Sequence, residues 1–233
     1  MRNLTFNGID SLSLGVAISG EGSYDAPSRD VSSYTIPGRN GTLLYDNGRY
    51  NNITVSYPAF VIGNLPTTAA NIRAWLMTPT TYARVEDDYH TDEFRLGIFS
   101  GTIGFNTTAW NQHAEFEIKF NCKPQRFLKS GESAVAVTNG GTISNPTDYA
   151  ALPIITVTGT GDAELTVGST TVSFTDLDGG IVLDCDLQDA YYGLDPANNL
   201  MTGDFPTLAP GSNGISWTGG ITAVSITPRW WRL

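Results

Sequence analysis

From Ala114 to Cys122 the chain alternates without a break. Ala114, Phe116, Ile118, Phe120 and Cys122 fall on one side, and Glu115, Glu117, Lys119 and Asn121 on the other. A period of two belongs to a strand, because successive side chains of a helix turn by about 100°. The polar side must meet water, so this strand belongs to an antiparallel sheet with one wet face. Asn52 to Tyr57 repeats the pattern, with Ile53, Val55 and Tyr57 opposite Thr54 and Ser56. Tyr82–Val85 and Phe94–Phe99 add further strand character. The first half is expected to be β-sandwich-like.

One stretch reads differently. Ala69, Ile72, Trp75 and Leu76 fall on a single helical stripe, after Leu65-Pro66-Thr67-Thr68 and before Pro79. Proline suits the first turn and hydroxyls suit the cap, while the later proline ends the helix. A helix this short needs a sheet to lie on.

Lys123-Pro124-Gln125 interrupts the long strand, and Lys129-Ser130-Gly131-Glu132 reads as a linker. Charge changes at the same place. Residues 1–128 carry 10 Lys and Arg against 12 Asp and Glu; residues 129–233 carry 3 against 11, out of a net charge of −10. Two domains are expected, 1–128 and 129–233. In the second, short strands near 134–138, 153–158, 164–167, 171–174, 180–184, 190–192, 214–217 and 224–227 alternate with glycine-rich stretches such as Gly159-Thr160-Gly161 and Asp178-Gly179-Gly180. Read as turns, these give an antiparallel sandwich with no helix. No lysine or arginine lies between 129 and 229, so this half cannot neutralise a row of phosphates.

Reaction chemistry finds no support. His90 and His113 stand in polar surroundings, no Gly-x-Ser-x-Gly elbow is present, and neither Cys122 nor Cys185 has a histidine at motif spacing. The two cysteines read as buried free thiols. Asp176-Leu177-Asp178-Gly179-Gly180 starts like a calcium loop, but position 12 is Leu187 where a glutamate is required. No catalytic residue, metal or cofactor is therefore assigned. No run approaches the about 18–20 apolar residues of a membrane span, and MRNLTFNGID lacks a signal core.

Ile36-Pro37-Gly38-Arg39-Asn40-Gly41 is the most pointed loop. Pro37 fixes φ and Gly38 permits the positive φ of a type II turn, and Asn40-Gly41 marks a hairpin reversal. The loop presents Arg39 either to solvent or to a carboxylate on a neighbouring subunit. Pro228-Arg229-Trp230-Trp231 offers two readings as well. Trp230 and Trp231, with Trp217, are stacking platforms for a sugar, or one of the adjacent pair faces the core and the other an edge.

In order along the chain stand MRNLTFNGIDS, IPGRNG, NIRAWL, DEFRLGIFSG and FNCKPQRFL, then NPTDYAALPIITVTG, IVLDCDLQDAYYG and FPTLAPGSNGISW. This ordered set resembles the distal tail proteins of long, non-contractile-tailed bacteriophages, across nearly the whole chain. The resemblance implies a ring-forming N-terminal tail domain carrying one packed helix, and a C-terminal galectin-like antiparallel β-sandwich. It implies a homo-hexameric ring at the virion's distal tail tip, assembled in the host cytoplasm. Such a ring joins the tail tube protein to a tail-tip or tail-associated protein, with tape-measure and receptor-binding proteins as further partners. DNA passes through it without sequence-specific binding, and no membrane is involved. Pro37, Gly38, Arg39, Asn40, Gly41 and Arg95 are then the assembly-interface candidates. The alternative function is a carbohydrate-binding module for host cell-surface polysaccharide, through Trp217, Trp230 or Trp231.

Overall fold

The computed structural model describes residues 2–233. The chain divides into two compact units, Met1–Arg126 with Leu233, and Phe127–Arg232.

In the first unit the strands are β1 (Leu4–Phe6), β2 (Ile9–Asp10), β3 (Val16–Ile18), β4 (Arg29–Thr35), β5 (Thr42–Tyr50), β6 (Ile53–Val61), β7 (Ala83–Asp87), β8 (Glu93–Phe99), β9 (Asn106–Ala109) and β10 (His113–Leu128). Eight of them form one antiparallel sheet, ordered β2-β1-β7-β8-β10-β6-β3, with β9 added to β10. The sheet curls back on itself, because Arg2 just before β1, the second strand of that order, bridges Ile18 of β3, the last. The alternating segment is the middle of β10: Ala114, Phe116, Ile118, Phe120 and Cys122 are buried, and the last four stand opposite Ala59, Tyr57, Val55 and Ile53 of β6.

Helix α1 (Leu65–Met77) packs on this sheet through Ile72, Trp75 and Leu76, which share a core with Phe6, Val55, Ile118 and Phe120. The indole Nε1 of Trp75 donates to the Phe6 carbonyl at 3.0 Å, so the helix is both packed and pinned. Its cap is Asn64, whose Oδ1 accepts from the Thr67 N–H, rather than the threonine hydroxyls. An asparagine one residue before the helix satisfies the open N–H groups equally well.

The second unit contains β11 (Val135–Val137), β12 (Thr142–Asn145), β13 (Ile154–Val167), β14 (Thr170–Asp184), β15 (Asp189–Tyr192), β16 (Asp195–Pro196), β17 (Met201–Thr202), β18 (Gly211–Thr227) and β19 (Trp231–Arg232). Its sheet runs β11-β18-β13-β14-β15-β16, with β12 on β18 and β17 on β14. Six of the short strands expected from the sequence are instead halves of three long ones, and the glycine stretches expected as turns lie inside them. Gly159 and Gly161 of β13, Gly179 and Gly180 of β14, and Gly219 and Gly220 of β18 form a seam across the three strands, with register shifts beside it. There the backbones touch: a Cβ on Gly220 would sit 1.7 Å from the Thr160 carbonyl oxygen, and one on Gly219 2.3 Å from that of Asp162. Strands that close can bend together only where side chains are missing. The bent ribbon encloses a core of Ile155, Leu165, Val172, Phe174, Ile181, Leu183, Ile215 and Ile226. The antiparallel sandwich expected from the sequence is present, and its sheet is curled.

The tetrapeptide read as a linker is also folded. Lys129–Gly131 is a turn of 3-10 helix; Gly131 is buried and its carbonyl accepts from the Arg229 N–H at 2.9 Å.

Candidate assembly surface

β4 and β5 stand apart from the curled sheet as a two-stranded ribbon of their own. The pairing runs from Arg29 opposite Tyr50 to Thr35 opposite Thr42, so the reversal takes residues 36–41, not Asn40-Gly41 alone. Within it the Arg39 N–H donates to the Ile36 carbonyl at 3.2 Å, and Gly38 adopts φ +79°. Pro37 and Gly38 therefore make the turn that the sequence expects. Every residue from Pro37 to Gly41 is exposed. Arg39 stands at the tip, and among the described residues it makes no ion pair.

The ribbon is polar at its base and apolar toward its tip. At the base Arg29 Nε donates to Asp46 Oδ2 and Arg49 Nε to Asp30 Oδ2, each at 2.6 Å. The Arg29 hydrogen bond holds the Asp46 carboxyl below its ordinary range, and Arg49 does the same for Asp30. These pairs are open to water and fix geometry more than they stabilise. Nearer the tip, register places Tyr34, Leu43 and Tyr45 on one face and Leu44 on the other, which Val31, opposite Asp46 at the base, shares. All five are exposed, Tyr34 by 57% and Leu44 by 67%. A lone two-stranded ribbon is marginal in water. Apolar groups exposed on both faces and unpaired edges make this ribbon the candidate assembly surface.

Arg95 lies elsewhere in the same unit and is not a surface residue. It is 8% exposed, on the inward face of β8 with Glu93. Burial, and then the nearby Arg126 charge, lower its pKa. Beside it Asp87 accepts from the Tyr57 hydroxyl at 2.7 Å, from the backbone N–H groups of Tyr89 and His90, and stands 3.0 Å from His90 Nδ1. A subunit contact through Arg95 would first have to unbury it.

The three tryptophans part company. Trp230 is 5% exposed in the core of the second unit and offers no stacking face. Trp231 is half-buried, its ring stacked on Tyr149 at 4.6 Å and its Nε1 donating to the Ala150 carbonyl. Trp217 is half-buried too, with its backbone held on both sides by the Asn139 side chain. One tryptophan faces the core and its neighbour lies at an edge.

A groove of about 670 Å³ on the first unit is lined by Pro58, Phe60, Asn106, Glu115, Glu117 and Lys119. Its carboxylates lie on the wet face of β10, Glu117 paired with Lys119 at 2.8 Å. Among the described residues no three His, Cys, Asp or Glu side chains converge as a metal site, and no helix is long and apolar enough to cross a membrane. Asp176-Leu177-Asp178 belongs to β14, with the Asp176 N–H donating to Asp162 Oδ1 at 3.1 Å.

No protein-family model matches the chain, and no curated protein sequence matches it either. Solved structures do. The Dit protein of phage SPP1, described as a paradigm of the hub adsorption apparatus in phages infecting Gram-positive bacteria, superposes with a TM-score of 0.79 over 100% of both chains, at 13% identity. The chain has the Dit fold. Chains of the phage p2 baseplate in its activated conformation share it more loosely. The form with Sr gives a TM-score of 0.52 at 8% identity over 100% of this chain and 98% of that one. The form with Ca gives 0.53 at 8% identity over 97% of each. At such identities the likeness is one of fold. The likeness to the SPP1 Dit chain covers both units described above.

Proposed function

We propose that this chain is a virion structural protein of a long non-contractile phage tail. In this reading six copies form a ring at the distal end, between the tube protein and the tail-tip or tail-associated protein. Tape-measure and receptor-binding proteins are further neighbours, and DNA passes through the ring. The observation that carries the proposal is the β4–β5 ribbon. It projects apolar side chains from both faces, as a segment does when it packs between copies of its own chain. A head-to-tail contact of this kind closes into a ring when its rotation is a simple fraction of a turn. The Dit fold and the ordered sequence strings point the same way. The acidic surplus suits a wall that DNA passes without adhering.

Light scattering and negative-stain microscopy, with and without the tail neighbours, test the reading. Wild-type protein is expected to form six-fold rings. Replacing Leu43, Leu44 and Tyr45 with serine is expected to leave folded single copies. Failure of the wild type to form any ring with its tail neighbours present contradicts the proposal.

A further inference from the structure

On the first unit, between helix α1 and the turn joining β1 to β2, lies a groove of about 350 Å³, room for more than one large side chain. Ile9, Ala74 and Pro79 wall it, the buried Trp75 closes its floor, and no charged side chain lines it. Asn7 and Asn71 stand at its rim, both exposed, with side-chain amides that no other described residue uses. The same stretches of chain expose Ile9, Leu12 and Met77, the last by 64%. Apolar surface gathered around a groove in this way marks an interaction site.

A head-to-tail ring needs two different surfaces on each copy, one that gives and one that receives. The β4–β5 ribbon is the giving surface. β4 runs seven residues, so at roughly 3.3 Å per residue the ribbon reaches about 20 Å from its base. Its richer face carries Tyr34, Leu43 and Tyr45. A leucine between two tyrosines matches the groove in kind, because the aliphatic chain and the rings suit its walls and the phenol hydroxyls suit its rim amides. Charge matches as well. Arg39, exposed at the ribbon's tip, has no carboxylate partner among the described residues. Asp10, next to Ile9 at the groove's edge, accepts from the Leu12 N–H at 2.7 Å and the Asn3 amide at 2.8 Å, but meets no cation among the described residues. A carboxylate accepts at about four sites, which leaves room for a guanidinium.

We propose that this groove receives the β4–β5 ribbon of a second copy, an inference that rests on the ring reading above and names the surface on which the ribbon lands. The incoming face of Tyr34, Leu43 and Tyr45 covers Trp75 and Ala74, and the incoming Arg39 pairs with Asp10.

Cross-linking two variants tests this. Leu43→Cys and Ala74→Cys proteins are mixed, assembled with the tail neighbours and treated with a short bismaleimide, the native Cys122 and Cys185 being buried. The mixture is expected to give covalent dimers that neither variant gives alone, since the contact joins unlike surfaces. Asp10→Lys sets two cations together and is expected to weaken assembly about tenfold; combining it with Arg39→Glu is expected to restore most of the loss. Should Asp10→Lys not fold, the cross-link decides alone. Rings that form without the mixed cross-link, or dimers of Leu43→Cys by itself, overturn this inference and leave the ring reading standing. Absence of wild-type rings overturns both.

Discussion

Arg229 grips Asp184 with both ends of its guanidinium, Nη1 to Oδ1 at 2.7 Å and Nη2 to Oδ2 at 3.0 Å. Asp184 is 5% exposed and ends β14. Arg229 precedes Trp230 in the segment that closes the second unit. The pair therefore fastens the end of the chain to the sandwich. Burial pushes the Asp184 carboxyl up, but hydrogen bonds from Arg229 and from the Leu187 and Asp186 N–H groups, with the Arg229 charge, outweigh it and leave the carboxyl below its ordinary range.

A depressed carboxyl contributes stability that is fully present above its unfolded value and lost as pH falls through the folded one. Arg229→Met is expected to destabilise the second unit by about 2 kcal/mol near neutral pH, since it strands a buried carboxylate. The difference from wild type should shrink below about pH 4, where the unfolded carboxyl takes up its proton. Urea denaturation at several pH values reads both effects.

The glycine seam makes a sharper claim about position. Gly220→Ala places a methyl group against the Thr160 carbonyl and is expected to cost more than about 3 kcal/mol or to prevent folding. Gly214→Ala, in the same strand with nothing within 4 Å of its Cβ, is expected to change stability by less than about 0.5 kcal/mol. Equal effects at the two sites would remove the seam from the account.

Cys122 and Cys185 are free and buried, and burial pushes their thiols up to about 11 and about 12. The thiolate is the reactive form. Native protein at pH 8 is expected to resist a thiol reagent over the time in which unfolded protein consumes two equivalents. Rapid labelling without denaturant would mean that one of the cores opens.

Much of the fold is legible because burial imposes a period. β10 shows it plainly, since one face meets the core and the other water. The same logic missed the long strands of the second unit. At Gly159-Thr160-Gly161 the glycines signal a bend within a strand as readily as a turn between two, and local sequence cannot tell these apart. β8 shows another limit: Glu93, Arg95 and Gly97 face inward, while Phe94, Leu96 and Ile98 are only half-buried. Polar groups take the inside there because Arg126, near the end of the neighbouring strand β10, faces them, its Nη1 3.8 Å from Glu93 Oε2. The β4–β5 ribbon left only its turn in the sequence. A ribbon exposed on both faces carries no inside and outside within one chain.

Arg39 gives the ribbon a chemical handle. Its tip position suits a carboxylate on the neighbouring copy, so Arg39→Glu is expected to weaken assembly at least tenfold, with an unchanged thermal midpoint for the single copy. Sedimentation across a salt series measures this. Loss of assembly that is insensitive to salt would assign the tip contact to apolar packing instead.

Hydrogen exchange of residues 29–50, compared between single copies and the assembled ring, is the most direct measure of the central claim. Exchange is expected to be fast at the exposed edges of β4 and β5 in the single copy and strongly slowed on assembly, most of all from Val31 to Tyr45. Rings that form while this ribbon keeps its fast exchange would contradict it.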